Sequence, residues 1–69
     1  MKANKIRQQL MAWAGSEFED ADTIRVERGE ANMWSVSVEW QDWGRAEIHS
    51  FCQESDGLRF LGVTEIEEA

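Results

Sequence analysis

Two periodicities divide the chain. In its first part the apolar positions Ile6, Leu10 and Trp13/Ala14 recur at the i, i+4, i+7/8 spacing of one helix face. Asn4 stands where an N-cap belongs and Gly15 where a helix commonly stops, so the spacing predicts a helix over residues 4–14. A second stripe, Met11, Ala14, Phe18 and Ala21, lets the helix run on through Gly15 at a cost of about 1 kcal/mol for the glycine. Alternatively, Ser16 and Glu19 match an S-x-x-E capping box and open a turn of their own.

From Thr23 the period falls to two. Ile24 and Val26 alternate with Arg25 and Glu27, and Trp34, Val36, Val38 and Trp40 alternate with Ser35, Ser37 and Glu39, as in half-buried strands. Residues 45–53 and 58–66 form two further strand candidates around Glu54-Ser55-Asp56-Gly57, where Asp-Gly suits a two-residue hairpin turn. The expected fold class is α+β: an N-terminal helix packed on a four-stranded antiparallel β-meander, with residues 1–69 as a single domain.

Turn chemistry sets an expected register. A three-residue loop Asp42-Trp43-Gly44, with Gly44 left-handed, pairs Trp40 with Ala46 and Val38 with Ile48. Placing Asp56-Gly57 at the last hairpin tip pairs Cys52 with Leu61 and Ser50 with Val63. Ile48, Cys52, Leu61 and Val63 then extend the inner face under Ile6, Leu10 and Trp13. The other face collects Arg25, Glu27, Ser35, Ser37, His49, Phe51 and Phe60, with Glu39 directly opposite Glu47. Like charges across a strand pair destabilise, and Phe51 and Phe60 break the polar pattern of a solvated face, so this face is expected to bind something.

Charge sharpens that expectation. Residues 1–14 carry Lys2, Lys5 and Arg7 and no acid, whereas residues 15–69 carry fourteen acids against four bases, for a net charge of −7. The stretch Ser16–Asp22 alone holds Glu17, Glu19, Asp20 and Asp22. Such a surface repels nucleic acid and anionic membrane and attracts basic protein surfaces, although solubility alone also favours acidity. With one cysteine, no disulfide within the chain and no ordinary Cys/His zinc cluster can form. No continuous apolar run reads as a signal peptide or membrane span, so a cytoplasmic protein is expected.

Candidate chemistry is sparse. His49 has no serine or cysteine spaced as a nucleophile, and Ser50 beside it points to the other face of a strand. Cys52 reads as a small core residue, with nothing basic beside it to activate the thiol. The expectation is a non-enzyme with no cofactor and no metal. Trp13, Trp34 and Trp40 read as core. Trp43, at a turn tip, is either an interface anchor or a residue folded back over the sheet edge.

On an extended backbone, acids at i and i+2 lie roughly 6.6–6.8 Å apart, on the scale of successive phosphates, and Glu17/Glu19, Asp20/Asp22 and Glu65/Glu67 have that spacing. In size, charge and single-domain build, and in its "SEFEDAD" run, Glu39, Glu47 and "TEIEEA" tail, the chain resembles the small acidic DNA-mimicking inhibitors of phages and mobile elements, including anti-CRISPR proteins. The resemblance implies an inhibitor that competes with DNA at a basic site of an effector complex. The expected partner-binding residues are Glu17, Glu19, Asp20, Asp22, Glu39, Trp43, Glu47 and Phe51. The expected partner is a basic DNA-handling protein, without direct nucleic-acid or membrane binding, the chain itself being a monomer or weak homodimer. An immunity or antitoxin protein for a nuclease, or a small acidic structural or dimerisation domain, fits the same composition.

Overall fold

A computed structural model describes residues 3–67. Helix α1 (Ala3–Glu17) is followed by strands β1 (Thr23–Arg28), β2 (Met33–Trp40), β3 (Arg45–Glu54) and β4 (Gly57–Glu67), which form one antiparallel sheet in the order β1-β2-β3-β4. The α+β meander is as the periodicities predict. The helix takes the longer of its two courses: Asn4 lies inside the first turn, and the chain remains helical through Gly15 to Glu17. The Phe18 N–H then donates to the Ala14 carbonyl at 2.8 Å.

The buried face of α1 is Ile6, Leu10 and Ala14, with Trp13 at its margin. These pack on Val26, Trp34, Val36, Val38 and Trp40, the inward positions of β1 and β2, and on Phe51 of β3. The helix therefore lies over β1 and β2 and leaves much of the same face of β3 and β4 open.

The expected β2–β3 register is corrected by one residue. The loop spans four residues, a 3-10 turn at Gln41–Trp43 followed by Gly44 in the left-handed conformation at φ 58°, ψ 36°. Trp40 consequently pairs with Arg45, Val38 with Glu47, Val36 with His49 and Trp34 with Phe51. Because side chains alternate with period two, this slip exchanges the faces of β3. Phe51 and His49 turn to the helix side and are buried, whereas Ile48 and Cys52 turn to the open face and are half-buried.

The last hairpin also turns one residue earlier than expected, at Ser55-Asp56, so that Glu54 pairs with Gly57 and Cys52 with Arg59. A β-bulge then leaves Leu61 without a partner between the pairs Phe51/Phe60 and Ser50/Gly62. Leu61, expected in the core, is 45% exposed. Glu39 does not oppose Glu47: its neighbours are Thr23 and Ala46, on the face away from the helix. Glu47 opposes Glu65 instead, and Arg45 spans the two carboxylates at 2.8 and 3.0 Å. That cation offsets the like-charge repulsion.

Candidate functional site

The chain leaves α1 through a turn that brings the acidic run against the end of β2. The Asp22 N–H donates to the Glu39 carbonyl at 2.8 Å, and its Oδ2 accepts the Gln41 N–H at 2.6 Å, closing the start of the 3-10 turn. The indole N–H of Trp40 donates to Asp20 Oδ1 at 3.2 Å. Two of the four carboxylates in "SEFEDAD" thus have a local structural role, since each satisfies a donor left over where β2 ends.

Asp20, Asp22 and Asp42 line a small depression of about 100 Å³ together with Trp40 and Trp43. Trp43 is 67% exposed and lies nearly parallel to the Trp40 ring, with centroids 6.3 Å apart and planes 15° apart. It is both displayed to solvent and braced from behind. Asp42 was absent from the expected set, although its place beside Trp43 and Gly44 in a turn was the signal that could have found it.

The expected acid rows are corrected. Glu17 ends α1 and residues 18–20 form a turn, so neither Glu17/Glu19 nor Asp20/Asp22 stands on extended backbone, while Glu65/Glu67 does. The acids form a cluster instead of a line.

Strand register shows how far that cluster extends. Glu39 stands at the end of β2, and Arg45, paired with Glu67, stands at the start of β3 beside Glu47 and Glu65. One end of the molecule therefore gathers Asp20, Asp22, Glu39, Asp42, Glu65 and Glu67, with the cation Arg45 bonded to Glu47 and Glu65. At the other end Lys5 and Arg7 in the opening turns of α1, Arg28 at the close of β1 and Arg59 in β4 stand among Glu27, Glu30, Glu54 and Asp56. Arg7 donates to the Val26 carbonyl at 2.6 Å, and the Arg7 and Arg28 guanidiniums sit over the Trp34 ring at 5.6 and 5.7 Å. Net negative charge is thus concentrated at one end of a body of 39 × 20 × 14 Å.

Three members of the expected set, Glu17, Glu47 and Phe51, lie elsewhere. Glu47 is largely covered, and Phe51 is 8% exposed, contrary to its expected place on a solvated face. Phe51 helps line an open cleft of about 440 Å³ with Trp13, Phe18, His49 and Phe60, and Glu17 stands at its rim. The cleft exists because α1 stops short of β4. Within it, His49 Nε2 is 3.0 Å from Glu47 Oε1, and the ring packs against Trp13 and Phe18 at centroid distances of 5.6 and 5.0 Å.

Among the described residues, no three His, Cys, Asp or Glu side chains are grouped to hold a metal ion, and no helix is long and apolar enough to cross a membrane. The arrangement sets two carboxylates held by hydrogen bonds, Asp20 and Asp22, beside a displayed indole. No family model, curated protein or solved structure matches the chain.

Proposed function

We propose that this protein is a non-enzymatic inhibitor that docks its acidic end onto the basic nucleic-acid-binding surface of an effector complex and blocks DNA from that surface. The observation that carries the reading is the concentration of net negative charge at one end, with Asp20, Asp22 and Asp42 beside Trp43. A body charged in this way approaches a Lys/Arg surface acid end first, because long-range fields orient diffusing partners before contact. Asp20 and Asp22 are already fixed by hydrogen bonds to Trp40 and Gln41, so less conformational entropy is lost when they meet a cation. Trp43, supported by Trp40, supplies the flat apolar anchor that such interfaces place near their centre. The compact cluster supports occlusion of a DNA site more than imitation of a regular phosphate row.

A competition titration tests this. A DNA-handling protein recovered from a bacterial lysate with this chain as bait is loaded with labelled DNA and titrated with the chain at two salt concentrations. Displacement of DNA that weakens as salt rises is expected. The triple variant Glu19→Gln, Glu39→Gln, Asp42→Asn leaves the Asp20 and Asp22 bonds in place and should displace DNA less well, mainly through slower association. Trp43→Ala should mainly hasten dissociation. If the partner holds DNA and this protein together, occlusion of the DNA site is wrong.

A further inference from the structure

The two edges of the sheet are unlike. β1 is six residues long and carries Arg25, Glu27 and Arg28, with Arg25 and Glu27 3.8 Å apart. Such a short, charged edge discourages pairing. β4 is eleven residues long, contains no proline or lysine, and has Arg59 as its single cation. Of the eight large apolar residues exposed among the described ones, Phe60, Leu61, Val63 and Ile66 all stand on this strand. Half of the exposed apolar side chains therefore border one row of unpaired backbone groups.

We propose that the protein self-associates through β4, two copies pairing antiparallel to form one continuous eight-stranded sheet. The inference does not rest on the inhibitor reading: the two share Glu65 and Glu67, but pairing through β4 uses neither Trp43 nor the cluster of Asp20, Asp22 and Asp42. A second copy is favoured because β4 is complementary to itself in one direction. An antiparallel pairing centred between Leu61 and Gly62 sets Phe60 opposite Val63 on the helix-side face and keeps the Glu65/Glu67 end of each strand away from that of the other. A parallel pairing stacks Glu65 on Glu65 and Glu67 on Glu67, which like-charge repulsion disfavours.

The helix-side face adds to the match. Since α1 covers β1 and β2, the aromatic cleft opens toward β4, and Phe60 belongs to both the cleft and the edge. Across a two-fold axis at β4, Phe60 and Val63 of each copy approach those of the other, so the apolar surfaces of two open clefts become one continuous band. Opposing this is the net charge of −7 on each copy. Screening relieves that repulsion, so association through β4 strengthens as salt rises, opposite in sign to docking on a basic partner.

Sedimentation of the purified chain across a concentration series at low and high salt is the test. The expected result is a reversible monomer–dimer equilibrium that shifts toward dimer in high salt. Leu61→Lys and Val63→Lys, both at exposed positions, should abolish the dimer while leaving the circular-dichroism spectrum unchanged. If either lysine variant fails to fold, Ile66→Lys serves instead, because its side chain is exposed on the same edge strand. A chain that stays monomeric at every concentration and salt overturns the proposal, as does a dimer that survives these substitutions unchanged. The Glu19→Gln, Glu39→Gln, Asp42→Asn variant should dimerise at least as well as the parent. Loss of DNA displacement without loss of the dimer, or the reverse, therefore separates this inference from the proposed function.

Discussion

At Gly15 the helix continues with the residue that loses most backbone freedom on folding, and a Cβ built there meets no atom within 4 Å. At Ala31, in the turn between β1 and β2, the reverse holds: φ is +54°, a left-handed conformation that costs an L-residue about 1–2 kcal/mol. Gly15→Ala should accordingly raise stability by about 0.5–1 kcal/mol. Ala31→Gly relieves the steric cost but adds freedom to the unfolded chain, so a net gain below about 1 kcal/mol is expected. The sites lie in elements that share no residues, and the gains should add in urea unfolding. Asp20 and Asp22 show a different economy at this scale, since the same carboxylates that bond Trp40 and Gln41 also contribute to the acidic patch.

Among the elements, β2 was legible and the faces of β3 were not. Trp34, Val36, Val38 and Trp40 alternate with small or polar residues, and all four are buried as that pattern predicts. In β3 the two phases carry similar apolar weight, Ala46, Ile48 and Cys52 against Phe51 and His49, so the hairpin loop had to decide between them. Gly44 was correctly read as left-handed, but Gln41 joins the turn and lengthens the loop by one residue. The phase that wins also turns Glu47 toward the helix side. Arg45 and His49 bond that carboxylate, and the incomplete reach of α1 leaves it partly wet, two conditions that strand periodicity does not encode. Phe51→Ala should cost about 3–4 kcal/mol and Ile48→Ala at most about 1 kcal/mol. Equal losses in thermal unfolding would support the other pairing.

For the whole molecule, the excess of acid could be counted from the sequence, but its collection at one end depends on chain direction. The helix runs so that Lys5 and Arg7 fall beside the close of β1, while residues 18–22 fall beside the β2–β3 turn. Grouping of Asp20, Asp22 and Asp42 around two indoles follows from that layout and from one hairpin loop. The placement of α1 over only half the sheet has a consequence for how the molecule opens. Amides of β2 are bonded to strands on both sides beneath the helix, whereas β4 is attached along one side and half of its backbone groups face outward. Local openings are governed by such differences in attachment, so the meander should peel from β4 inward without disturbing the packing of α1 on β1 and β2. In dilute solution in heavy water, peptides from residues 57–67 should take up deuterium first and those covering Met33–Trp40 last. Uniform exchange across all four strands would instead mean that the sheet opens only as one unit.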